Sequence, residues 1–125
     1  MYGVAVTREL DAVHYLFGGD WGKENQPHSH HYKVEVLLSG EKLDRFGYLL
    51  DITLIERSMD GLVEYFRGAI LNHLPEFTGL NPSIEHFCRI WCHSLLKGLD
   101  STPLKLARVR IWENTIAWAT YTEQI

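Results

Sequence analysis

An α+β fold, in the order strand, strand, helix, helix, strand, strand, is what this 125-residue sequence predicts. Three observations carry the expectation. Both ends of the chain alternate apolar with polar residues, the period of an extended strand with one buried face. Two central stretches repeat apolar residues at spacings of three and four, the period of a helix with one buried stripe. A hydrophobic share of 46% against a charged share of 22% is that of an ordinary globular chain of one domain, residues 1–125.

The first strand is expected over residues 2–16, "YGVAVTRELDAVHYL", which mixes alternation with β-branched residues. The second runs over 31–39, where Tyr32, Val34, Val36 and Leu38 share one side. Between them "FGGDWGKENQPHS" is too long for a tight hairpin and rich in turn-forming residues. Loops of that length in a compact domain are usually functional or disordered. "GEKLDRFG" makes a second turn region. Ile55, Met59, Leu62, Phe66 and Ile70 then mark a helix from about Thr53 to Leu71. After the loop "NHLPEFTGLNPS", a second helix is expected with Asn81 as its cap and Pro82 in its first turn. Its stripe is Ile84, Phe87, Cys88, Trp91 and Leu95, and Gly98 stops it. "LKLARVRIW" and "IAWATYT" close the chain as two strands about an Asn114-Thr115 turn. There is no internal repeat and no linker.

Four strands backed by two helices leave one sheet face bare and two edges open. Closing a barrel between subunits removes such edges, so the sequence leans towards an oligomer. A net charge of −4 gives no general affinity for nucleic acid or anionic membrane. The apolar stretches are too short to span a bilayer, and no signal-peptide pattern opens the chain. The two cysteines, Cys88 and Cys92, fall in one expected helix, which is no disulfide framework and fits a reducing cytoplasm.

The richest chemistry lies in "QPHSHHYKVEV", residues 26–36. His28 and His30, two apart in an extended segment, project to the same side. His14, near the end of the first strand, can approach them if the two strands pair antiparallel. Three imidazoles with one vacant position form the catalytic kind of zinc site. On spacing alone the alternative is three imidazoles in a solvated loop. His31 points the other way and is expected at the surface or behind the ligands.

Taken in order, the motifs resemble the 6-pyruvoyl-tetrahydropterin synthase family, which includes the 6-carboxy-tetrahydropterin synthases. "DAVHYLFGG" looks like the family's strand with its first zinc histidine, and "HSHHYKVEV" its HGHNY-type motif with Ser29 in place of glycine. "GYLLDI" resembles the stretch opening the first helix, and "LNHLPEF" stands where the family has LDH. "NPSIEHFCRIW" is similar to the NPT-x-E helix start, and "RVRIWEN" to the strand with the pterin-anchoring glutamate. The resemblance spans nearly the whole chain. It implies the T-fold, with subunits joining their sheets into a barrel, usually a hexamer of two trimers with interfacial active sites. It also implies Zn2+ on His14, His28 and His30, and Glu113 as anchor of a small-molecule pterin. A carboxylate suits that task, because it accepts from a ring N–H and an exocyclic amine side by side.

Two departures bear on the reaction. The family's loop cysteine is absent from "GGDWGKENQPHSH", and the Asp of LDH is Asn72, next to His73. An asparagine can orient an imidazole but cannot stabilise imidazolium as a carboxylate does. Glu24 remains in the loop, four residues before His28. Some members resemble this and cleave dihydroneopterin triphosphate to 6-hydroxymethyl-dihydropterin. The expectation is therefore a zinc-dependent lyase acting on that substrate or a related pterin, with Glu24 or His73 as acid–base group. A solvated loop carboxylate is the plainer reading of Glu24. The alternatives for the protein are 6-pyruvoyl- or 6-carboxy-tetrahydropterin synthesis, or a pterin-binding paralogue without catalysis.

Overall fold

The computed structural model describes residues 1–125 as a four-stranded antiparallel sheet with two helices against one face. In chain order the strands and helices are β1 (Tyr2–His14), β2 (His28–Gly40), α1 (Ile52–Phe66), α2 (Ile84–Lys97), β3 (Leu106–Trp112) and β4 (Trp118–Gln124). The sheet order is β1-β2-β3-β4, so β1 and β4 are its edges. Element order and class match the sequence reading, and the boundaries differ for local reasons.

β2 begins at His28, three residues earlier than expected, because the histidines themselves pair with β1. β1 stops at His14 rather than residue 16. α1 is capped by the Asp51 carboxylate, which accepts from the Thr53 N–H at 2.9 Å. It ends at Phe66 rather than Leu71, since Gly68 takes a left-handed φ of 72° and turns the chain back. α2 is capped by Ser83, not Asn81, the Ser83 hydroxyl accepting from the His86 N–H at 3.1 Å. Pro82 therefore precedes the helix, and Asn81 is released for another task. β3 and β4 each start two residues later than expected, with the Asn114 carboxamide oxygen accepting from the N–H groups of Ile116 and Ala117 in the turn.

The core lies between the helices and the sheet. Val6, Leu10 and Ala12 of β1, Tyr32 to Leu38 on β2's alternate positions, and Val109 and Ile111 of β3 all face it. Ile55, Met59 and Phe66 come from α1; Phe87, Trp91 and Leu95 come from α2. Phe66 stacks on Trp91 with centroids 5.4 Å apart, and Phe87 meets Tyr32 edge-on at 5.3 Å. Such pairs add about 0.5–1.5 kcal/mol each beyond their burial. They bring the floor of the sheet up to the histidines, since Tyr32 is two residues beyond His30 on the same face. The opposite face carries Glu9, Asp11, His31, Lys33, Arg110 and Trp112 and has no helix over it.

The far end of β1 is covered by the segment after α1. Gly68 N–H donates to Asp11 O at 2.8 Å, and Val13 N–H to Ala69 O at 2.9 Å. Asn72 and Asn81 then continue this edge with their side chains. The Asn72 carboxamide accepts from Tyr15 N–H at 3.0 Å and donates to Tyr15 O at 2.8 Å. Asn81 does the same to Phe17, at 2.9 Å both ways. An amide offers one donor and one acceptor, as a strand residue does, so these two side chains replace a strand. No helix is long and apolar enough to cross a membrane.

Candidate metal centre and cavity

The β1–β2 register sets His14 directly opposite His28, and His30 opposite Ala12. Opposed residues of an antiparallel pair face the same side, so all three imidazoles project towards α2. Ala12 leaves room for the ring across from it. The ring centroids form a triangle: 4.6 Å for His14–His28, 4.8 Å for His14–His30 and 4.9 Å for His28–His30.

Hydrogen bonds behind the rings fix which nitrogens meet. His14 Nδ1 lies 2.9 Å from the Pro82 carbonyl, and His28 Nδ1 lies 2.8 Å from the Gln26 carbonyl. A carbonyl only accepts, so each Nδ1 carries the proton and each Nε2 presents a lone pair. Yet the two Nε2 atoms are 2.9 Å apart. Glu24 Oε2 lies a further 3.0 Å from His28 Nε2. One ligand atom from each of His14, Glu24, His28 and His30 falls within 4.8 Å of all the others. Convergent lone pairs and a carboxylate repel unless a cation lies among them. The residues present therefore fit a metal ion, and three nitrogens with one oxygen are the donor types zinc takes.

His14 is almost fully buried at 3% exposure, and that burial pushes its imidazole below the usual histidine range. The neutral form that ligates is thereby the favoured one. Behind it, the Tyr32 hydroxyl lies 3.4 Å from His14 Nδ1, and burial raises the phenol above its ordinary range. It stays a neutral hydroxyl beside the site. Neither Pro82 nor Tyr32 was singled out for the site from sequence. A Tyr two residues after the second histidine was the available signal; a backbone carbonyl from a distant loop leaves none.

The loop before β2 holds Glu24 in a short 3-10 turn, Gly22–Asn25. Glu24 O accepts from Leu16 N–H at 2.9 Å, and Asn25 Nδ2 donates to Leu16 O and Gly19 O. Gly22 enters the turn with φ 63°, a left-handed conformation that costs glycine little. A cavity of about 350 Å3 opens beside the histidines, lined by His14, His30, Glu24, Glu85 and Glu113 with Leu16, Ser83 and Ile84. Glu113 reaches it from the residue after β3, where its N–H donates to Ala117 O at 3.2 Å. A larger hollow of about 560 Å3 lies on the helix-free face and shares only Glu113 with it.

Of the residues singled out from sequence, His14, His28, His30 and Glu24 come together, and Glu113 lines the same cavity. His73 does not join them within the chain: it is exposed and packs by its ring near Tyr15, centroids 6.2 Å apart. Asn72 does not orient His73, because both ends of its carboxamide are engaged by Tyr15. His31 stands on the opposite face between Asp11 at 2.6 Å and Glu9 at 3.0 Å. Cys88 and Cys92 are buried in α2.

The model of the family described as 6-pyruvoyl tetrahydropterin synthase matches residues 3–124. The chain belongs to this family. Family members are lyases, and the chain is a pterin-processing enzyme of that family whose His/Glu cluster has the donors to hold a metal ion. A curated relative, the putative 6-carboxy-5,6,7,8-tetrahydropterin synthase of Archaeoglobus fulgidus, is 31% identical over 93% of this chain and 91% of its own. Among solved structures, the Caenorhabditis elegans 6-pyruvoyl tetrahydropterin synthase superposes with a TM-score of 0.85 at 20% identity, covering 98% of this chain and 96% of that one. The Plasmodium vivax 6-pyruvoyltetrahydropterin synthase, solved with a catalytic glutamate replaced by alanine, gives 0.80 at 14% identity over the full length of both. The α+β fold is that of the synthase family, the T-fold expected from the motifs.

Proposed function

We propose that this protein is a zinc-dependent lyase that cleaves the side chain of 7,8-dihydroneopterin triphosphate or a close pterin relative, giving 6-hydroxymethyl-dihydropterin. The observation that carries the reading is a loop carboxylate, Glu24, brought to the three histidines in a loop that has no cysteine. The Plasmodium vivax enzyme, in which a glutamate is the catalytic residue, supports a carboxylate in that role.

His14, His28 and His30 would hold Zn2+, which when bound acidifies side-chain hydroxyls. Glu113, in the same cavity, accepts from the pterin ring N–H and amine and fixes the ring. Glu24 takes the proton of the side-chain hydroxyl next to the bond that breaks. That oxygen becomes an aldehyde carbonyl on the departing fragment. The bonding pair passes to the pterin-bearing carbon and into the ring held by Glu113. Return of the proton to that carbon gives the hydroxymethyl product, so no oxidant or reductant is needed.

The protein would assemble as a homohexamer of two trimers, consistent with the uncovered sheet face and the bare edge at β4. His73 is exposed on its own subunit, so acid–base work by it requires a site shared across an interface. Incubation of the zinc-loaded protein with dihydroneopterin triphosphate should release 6-hydroxymethyl-dihydropterin by mass. Glu24→Gln, assayed in excess zinc, should suppress it. A 6-pyruvoyl or 6-carboxy product would refute this reaction, and tight pterin binding without turnover would favour a non-catalytic paralogue.

A further inference from the structure

We propose that Glu24 is a fourth protein ligand of the metal in the substrate-free enzyme, so that the centre rests closed. This deepens the metal reading above and depends on it. Glu24 lines the cavity beside the histidines, and its Oε2 lies 3.0 Å from His28 Nε2, within the same cluster as His14 and His30. His28 Nδ1 already donates to Gln26 O, so neutral His28 can offer Glu24 only a lone pair. His14 Nε2 stands 2.9 Å from the same nitrogen, so two ring nitrogens and a carboxylate oxygen converge there. One cation among the three atoms would satisfy all of them at once, and with His30 they would supply the four donors that zinc commonly takes.

The side chain is also placed to leave. Its outer half is open, with 52% of the side chain exposed, whereas His14 is buried and His28 is 24% exposed in its side chain. The turn that carries it is held by its own hydrogen bonds to Leu16, Gly19 and Trp21, so the carboxylate can swing by side-chain rotation without moving β2. Turning the carboxylate away would free one donor position for a substrate oxygen and would keep Glu24 beside that oxygen. Resting closure and catalytic basicity are then two positions of one side chain.

The test reads metal affinity and loop order, with no pterin present. Zinc affinity is measured by chelator competition in the full-length protein and in the variants Glu24→Gln and Glu85→Gln, the melting of each metal-free protein being checked. Glu85 lines the same cavity but stands outside the donor cluster. Glu24→Gln should weaken zinc at least tenfold and Glu85→Gln less than twofold. In the unaltered protein, metal should slow amide exchange over residues 21–25, and cobalt in place of zinc should show a visible spectrum that Glu24→Gln alters. Equal loss in both variants would mean a general field effect and would overturn the assignment. So would unchanged affinity in Glu24→Gln, or exchange at 21–25 indifferent to metal. If zinc affinity falls as stated but no pterin is cleaved, the reaction proposed above fails while the ligand assignment stands.

Discussion

Restoring the family's carboxylate at position 72 should destabilise this protein, although it looks like a repair. In Asn72→Asp the side chain keeps an acceptor for Tyr15 N–H but loses the donor to Tyr15 O, now 2.8 Å away. The lost hydrogen bond is worth about 1 kcal/mol, and a half-buried carbonyl left facing a carboxylate oxygen adds roughly another 1 kcal/mol. An unfolding entropy of about 2.1 cal/mol/K per residue over 125 residues makes 2 kcal/mol equal to about 8 °C in Tm. Asn72→Ala loses both bonds and should fall by a similar amount at neutral pH. Acid separates the two. A carboxylic acid can donate to Tyr15 O, so the folded state raises the pKa of the introduced Asp above its unfolded value. The stability tied to that proton is present below the unfolded pKa and is lost as pH rises through the folded one. The deficit of Asn72→Asp should therefore shrink on acidification, relative to the unaltered protein, while that of Asn72→Ala should not. Thermal melts by circular dichroism from pH 4 to 8 provide the measurement. If Asn72→Asp melts with the unaltered protein at pH 7 and turns over faster, Asn72 serves His73, and the structural role given to its pairing with Tyr15 is wrong.

His28→Ala should abolish zinc binding, whereas His31→Ala should leave it intact, as read by metal content after gel filtration; loss in both would misplace the ligands. If Glu113 anchors the pterin as proposed, Glu113→Gln replaces its carboxylate with a neutral amide and should raise KM about ten- to a hundredfold, the worth of a charged hydrogen bond, with the metal retained. Burial pushes the Cys88 thiol up to about 12 and the Cys92 thiol up to about 11. Neither should react with a thiol reagent at pH 8 until the protein unfolds; prompt labelling would show that α2 opens.

The sequence by itself determined the class of the fold and which two histidines share a side. Alternation in "HSHH" puts His28 and His30 on one side and His31 on the other, because a strand repeats every two residues. Helical spacing located α1 and α2, though α1 ends at Phe66 rather than Leu71 and the cap of α2 was misjudged: Ser83 and Asn81 are both good caps, and only the path of the chain shows which one is free. The third histidine of the cluster needed a register. His14 meets His28 because thirteen residue pairs of β1 and β2 align that way, a sum over the whole hairpin that no local motif contains. Asn72 is the sharpest case. Beside His73 in sequence, it invites a catalytic reading, but the turn at Gly68 carries it to Tyr15, where both its polar ends are used. Local periodicity is written in neighbouring residues; which hydrogen bond an amide makes depends on what the rest of the chain brings within 3 Å of it, about the length of any hydrogen bond.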